Sequence, residues 1–152
     1  MQVSDIMHGE VVTVGEDDSF ADAAKVLHEH RISSVIVNGD AGPAGIVTER
    51  DFVNLVADGR DPAEVKIGER MTRELATVEP KTDIAEAASV MATRGVRHLP
   101  VVDKGRLVGI ISIRDLTSWA VEELTGGHEL PDMERSSAAL SAAVEVERTA
   151  TH

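Results

Sequence analysis

Gly95-Val96-Arg97-His98-Leu99-Pro100-Val101-Val102 is followed by the polar tetrad Asp103-Lys104-Gly105-Arg106. Leu107-Val108-Gly109-Ile110-Ile111-Ser112-Ile113-Arg114-Asp115 comes next. This reads as two short apolar strands joined by a turn, the second running straight into a helix start. Strands that are apolar along their whole length, rather than alternating, are buried on both faces, so the hairpin is a centre of the fold. Arg97 and His98 stand at its mouth, Ser112 and Asp115 at its exit. Polar groups at the ends of buried strands are where a small ligand can be held.

Working outward, the same pattern occurs earlier. Asp5–Phe52 aligns with Glu69–Leu116 at a constant offset of 64, without a gap, and thirteen of the 48 aligned positions are identical. Met7/Met71, Thr13/Thr77, Val14/Val78, Gly45/Gly109, Arg50/Arg114 and Asp51/Asp115 are among them. Such a register marks an internal duplication. Each copy predicts a helical turn ending at Met7 or Met71 and a short strand, Val11–Val14 or Leu75–Val78. An amphipathic helix then buries Phe20, Ala23, Ala24 and Leu27 in the first copy, and Ile84, Ala87, Ala88 and Met91 in the second. Ser19 precedes the first of these helices, Thr82 the second, and Gly95 stops the second. Two strands follow, Ser34–Val37 with Ala44–Val47 and His98–Val102 with Leu107–Ile111. They are joined by the turns Asn38–Pro43 and Asp103–Arg106. A last helix starts near Glu49 and near Ile113. One such unit cannot cover its own sheet, whereas two packed sheet to sheet can, about an approximate two-fold axis. Asp58-Gly59-Arg60-Asp61-Pro62 is the expected hinge.

Composition bounds the function. A chain of 152 residues with 42% hydrophobic and 28% charged residues is globular. Phe20, Phe52 and Trp119 are the full aromatic set, so the core is aliphatic and base stacking of single-stranded nucleic acid is disfavoured. Cysteine is absent, which removes disulfides, thiolate catalysis and thiolate zinc sites. The net charge of −12 argues against duplex DNA but not against a mononucleotide held by local residues. No apolar run approaches the ~18 residues of a membrane span, and the start carries no secretory pattern, so a cytoplasmic location is expected. His28 and His30 are two apart on a helix and point apart, while His8, His128 and His152 are scattered. No metal site is expected, and these histidines read as surface residues. No nucleophile–base set, Walker loop or dinucleotide fingerprint is present, so no enzyme is expected. Beyond Gly126-Gly127 and Pro131, the alanine-rich Ser136–Val146 could form one helix, frayed or docked on a partner.

The duplicated pattern, carried by Gly95–Val102 with Gly109–Asp115 and more loosely by Arg31–Val37 with Gly45–Asp51, resembles the cystathionine-beta-synthase (CBS) domain. Two in tandem resemble a Bateman module over residues 2–119. The resemblance implies a mixed α/β (α+β) fold of two β-α-β-β-α repeats, with domains at 2–58 and 67–119, a linker at 59–66 and an extension at 120–152. It further implies a disc-like homodimer, and adenosine-containing ligands (AMP, ADP, ATP, NAD or S-adenosylmethionine) in clefts between the halves, whose occupancy is signalled to a partner.

In Thr48-Glu49-Arg50-Asp51 and Ser112-Ile113-Arg114-Asp115, the resemblance makes each Asp the acceptor for a ribose diol, since a carboxylate offers two acceptor oxygens. Thr48, Ser112 and the helix N-terminus would face phosphate. The same residues also spell a capping box, hydroxyl first and acid three later, and that alternative stands beside the ribose role. Arg97, His98, Arg50 and Arg114 are candidate phosphate contacts, with a solvated surface role as the alternative. Thr13-Val14 and Thr77-Val78 would meet the adenine edge, and Ser33, Ser34 and Val35, or Val96, Leu99 and Pro100, would line the clefts. The first copy departs from the pattern: Ser33, Ser34 and Ile36 replace Arg97, His98 and Pro100. A different class of function, a structural interaction dimer with empty clefts, fits the same duplication.

Overall fold

The computed structural model describes residues 1–126. After a 3-10 turn at Val3–Asp5, the elements are β1 (Thr13–Val14), α1 (Phe20–His30), β2 (Ser34–Gly39), β3 (Gly42–Thr48) and α2 (Glu49–Ala57). The second repeat has α3 (Ile67–Arg70), α4 (Ile84–Arg94), β4 (His98–Asp103), β5 (Arg106–Ser112) and α5 (Ile113–Thr125). One compact unit ends at Trp119. The alanine-rich stretch 136–146, His128 and His152 lie outside the described residues.

The sheets follow the duplication. β1 runs parallel to β2 and β2 antiparallel to β3, with Ser34 opposite Thr48 and Val37 opposite Gly45. β4 and β5 are antiparallel, with His98 opposite Ser112 and Val101 opposite Gly109. Three sequence expectations shift. The strand at Val11–Val14 shortens to Thr13–Val14, and the one at Leu75–Val78 contracts to a single parallel bridge between Val78 and Val101. Two backbone bonds make that bridge, Val78 N to Pro100 O (3.1 Å) and Val102 N to Val78 O (2.9 Å). Pro100 offers no N–H, which limits how far such a pairing can extend. The hairpins, conversely, are tighter than expected, their strands reaching Gly39 and Gly42, and Asp103 and Arg106. Lys104 and Gly105, both at positive φ (49° and 78°), form a two-residue turn whose twist matches the strands.

Helix starts and stops are local. The Ser19 hydroxyl accepts from Asp22 N, and Arg31 closes α1 in the left-handed region at φ 52°. In α4 the cap is Asp83 rather than Thr82. Its carboxylate accepts from Ala85 N, while the Thr82 hydroxyl accepts from Glu79 N. Gly95, at φ 64°, ends α4 without side-chain strain.

The two hydrophobic cores exchange their lead-in segments. Phe20, Ala23, Leu27, Val35, Val37, Val47 and Leu55 of the first repeat are joined by Val65 from the linker and by Ile67 and Met71 from the start of the second repeat. Ile84, Ala87, Met91, Leu99, Val101 and Ile111 are joined by Val3, with Ile6 and Met7 packed against them. The backbone bonds repeat at the offset of 64. Val3 N donates to Thr82 O as Ile67 N does to Asp18 O, both 2.8 Å, and Ser4 N donates to Pro80 O as Gly68 N does to Glu16 O, both 2.9 Å. The expected hinge and the rest of the linker are therefore also packing elements, because the carbonyls of Pro62 and Val65 accept from Ala21 N and Phe20 N at the start of α1.

Candidate functional site

Each repeat delivers the same corner, a strand ending in a hydroxyl residue and turning directly into a helix; this strand is fully buried only at alternate residues, Gly45 and Val47 or Gly109 and Ile111, and not on both faces as expected. Ile113 N donates to Arg97 O (2.8 Å), and Glu49 N to Ser33 O (3.0 Å). The chain before the hairpin is thereby tied to the helix after it. This brings His98 beside Ser112 and Ser34 beside Thr48.

The acids sit three residues into these helices. Asp115 Oδ2 accepts from Ser112 N (2.7 Å) and from Ser112 Oγ (2.8 Å), and Asp115 N donates back to Ser112 Oγ (3.2 Å). Asp51 Oδ2 accepts from Thr48 N (2.8 Å), with the Thr48 hydroxyl at 3.4 Å. The capping role is thus present in both copies. It uses one oxygen of each carboxylate and fixes the orientation of the other, so it is compatible with a ligand role, since a carboxylate has about four acceptor positions.

At the second corner the remaining oxygen is taken. His8 Nε2 lies 2.8 Å from Asp115 Oδ1. An ionised carboxylate only accepts, so Nε2 carries the hydrogen and donates. His8 is 68% exposed and Asp115 14% exposed. His8 belongs to the lead-in segment, held to the second repeat by His8 N to Ile110 O and Ile110 N to His8 O, both 3.0 Å. Asp115 therefore stands where the segment from one end of the chain meets the other repeat. His8 lies at the surface as expected, and it is in addition tied to Asp115, which the sequence did not indicate. A lone histidine has no local signature. The available signal was its position one residue after Met7, which is identical in both copies.

The other expected residues divide by environment. Ser34, Val35, Val14, Val78, Leu99 and Pro100 are buried, while Thr48, Ser112 and His98 are half-buried. Thr13, Thr77, Ser33, Val96, Arg97, Arg50 and Arg114 are exposed. Thr13 pairs with Ile36 next to the first corner, and Thr77 precedes the bridge residue Val78. Among the described residues no group of three or more His, Asp or Glu side chains could hold a metal ion, and no helix is long and apolar enough to cross a membrane.

Burial lowers the pKa of His98 below the usual 6.5, with Asp115 opposing the shift and Arg97 adding to it. A lowered folded-state pKa means that the unfolded chain binds the extra proton first. The stability owed to neutral His98 is complete above about pH 6.5 and is lost as pH falls toward the folded value. Urea titrations from pH 7.5 to 5 are expected to show wild type losing more stability than His98→Asn. Equal slopes would remove His98 as the source.

The CBS domain family matches residues 3–58 and 64–122. Protein MK0525 of Methanopyrus kandleri is 36% identical over 119 residues, 76% of this chain and 61% of its own length, so the chain spans about three-fifths of that relative. The CBS domain-containing protein YhcV of Bacillus subtilis is 30% identical over 132 residues, 86% of this chain and 94% of its own. Among solved structures, the CBS domain pair of protein MJ0100 in complex with 5-methylthioadenosine and S-adenosyl-L-methionine superposes with a TM-score of 0.75. It is 26% identical and covers 81% of this chain and 98% of that one. With two repeats at a fixed offset, the shared strand-to-helix corner and these matches, the chain belongs to the CBS domain family, as a tandem pair.

Proposed function

We propose that the chain is a regulatory binding module for adenosine-containing compounds, with one site at each strand-to-helix corner. The observation that carries this reading is the geometry of Asp51 and Asp115. Each has one oxygen anchored by its own helix start, so the carboxylate is already ordered when a ribose diol arrives. The similarity to the MJ0100 pair, whose structure contains two adenosine compounds, supports the same ligand class. In this reading Asp51 and Asp115 accept from ribose. Thr48, Ser112, Arg50, Arg114, Arg97 and His98 face phosphate or its replacement. The small and aliphatic residues around Val14, Ser34, Val78 and Leu99 receive the base. Occupancy shifts the balance between arrangements of the halves by no more than the ligand's differential affinity for them, and a partner reads that shift. The exposed Val53 and Val56 of α2 are in keeping with association into a homodimer.

Calorimetry of the full chain with AMP, ADP, ATP, NAD and S-adenosylmethionine tests the reading. At least one is expected to bind, and Asp51→Ala and Asp115→Ala are each expected to weaken binding at their own site. The weakening should be about tenfold or more, since hydrogen bonds to a charged group contribute about 1.5–3 kcal/mol. No binding at millimolar ligand would defeat it. It would favour the second reading, a structural interaction protein in which both acids serve only as the caps observed. A melting temperature that responds to a protein partner and to no nucleotide is the signature of that alternative.

A further inference from the structure

The two corners differ in one respect that the duplication does not predict. Asp51 Oδ2 is bound by Thr48, and its Oδ1 has no hydrogen-bond partner among the described residues. In Asp115 both oxygens are used, Oδ2 by Ser112 and Oδ1 by His8. The residue 64 positions after His8 is Thr72. Its backbone is held in the same way, Thr72 N to Ile46 O and Ile46 N to Thr72 O, both 3.0 Å. The two lead-in segments thus present position 8 and position 72 to equivalent places with the same main-chain geometry. Only the side chain differs, and only the imidazole of His8 takes an acid.

We propose that His8 is a specificity-determining latch on the second site. By occupying Asp115 Oδ1 it makes this acid the weaker host for a vicinal diol, so an adenosine compound fills the Asp51 site first and the Asp115 site only as the imidazole swings away. The inference rests on the adenosine reading above. The physical argument is competition for one acceptor. A ligand arriving at Asp51 finds a free, oriented oxygen, whereas at Asp115 the His8 hydrogen bond is exchanged for the ligand's. Because the His8 side chain is mostly exposed and its backbone is held at both N–H and C=O, release is a side-chain rotation that returns Nε2–H to water. It does not unseat the lead-in segment. The latch therefore sets the order of filling without a rearrangement of the fold.

The test exchanges the two side chains. Wild type, His8→Thr, Thr72→His and the double exchange are titrated calorimetrically with AMP, ATP and S-adenosylmethionine. Asp51→Ala and Asp115→Ala assign the steps. Wild type is expected to show two steps, the tighter removed by Asp51→Ala. A hydrogen bond of ordinary net strength corresponds to about a two- to tenfold change in affinity. His8→Thr is expected to tighten the weaker step by that factor, Thr72→His to weaken the tighter one similarly, and the double exchange to reverse the order of the sites. In a long-range imidazole nitrogen spectrum, the Nε2 signal of His8 is expected to move toward a solvent-like position only as the second step fills. Unchanged or weaker second-step binding in His8→Thr overturns the latch, and so does a tighter step that belongs to Asp115. Either result leaves the adenosine reading intact. Absence of binding by every variant to every probe removes both together.

Discussion

Phe20→Ala is expected to destabilise the protein by about 3–5 kcal/mol, the range for emptying an aromatic side chain from a packed interior. Phe20 is fully buried at the first turn of α1. Its ring meets that of Phe52 edge to face, with centroids 5.1 Å apart. Val65 and Ile67, from beyond the first repeat, complete the same cluster, and Val65 O accepts from Phe20 N. A chain with two phenylalanines and one tryptophan has few large side chains to fill such a void, so the cavity term is not expected to relax away. Against a typical total of about 5–15 kcal/mol, the loss is large. Urea unfolding followed by far-ultraviolet circular dichroism measures it. A loss below about 1 kcal/mol would contradict the placement of Phe20 at the junction of α1, α2 and the exchanged segment.

Gly45→Val and Gly109→Val carry the second large effect. A side chain at position 45 would put its Cβ 2.7 Å from Met71 Sδ and 2.8 Å from Thr72 O; at position 109 the contacts are Met7 Sδ at 2.7 Å and His8 O at 2.9 Å. The methionines could yield, but the carbonyls could not without losing their bonds from Ile46 N and Ile110 N. Overpacking costs about 1–3 kcal/mol, and a lost backbone hydrogen bond adds about 1 kcal/mol. Each variant is therefore expected to lose about 2–4 kcal/mol in urea titration, with faster amide exchange at Ile46 or Ile110 marking where the segment lifts. A variant as stable as wild type, with both amides still protected, would show that the close approach is not needed.

These two sites also indicate what could be read from sequence. The ungapped offset of 64 made the duplication legible, and with it the order of elements, the buried runs of β2 and β4 and the acids three residues after Thr48 and Ser112, while β3 and β5 are buried only at alternate residues. The strand at 75–78 failed because strand propensity is local while pairing needs a partner, and Pro100 lies where β4 would supply one. The exchange of lead-in segments was not read, since the pattern gives a helical turn ending at Met7 or Met71 without saying which core that turn packs against. A clue was nevertheless present. Gly45/Gly109 and Met7/Met71 are identical in both copies, and a missing side chain opposite a long flexible one is the mark of close contact. The His8–Asp115 bond had no clue beyond the place of His8 next to Met7, because the two residues are 107 positions apart and the second copy has Thr72 at the equivalent place.

The crossed lead-ins bear on how this chain comes into being. While it emerges from the ribosome, the first half has a gap in its interior until Val65, Ile67 and Met71 appear, and Val3 waits still longer for Ile84 and Ile111. The first interior can close once Met71 has appeared and the second only with nearly the whole tandem, and because each takes a segment from the other's stretch of chain, the halves are expected to form and dissolve as a single cooperative body. A lone ancestral copy, lacking a second copy on the same chain, could have completed itself only by trading its leading turn with a twin.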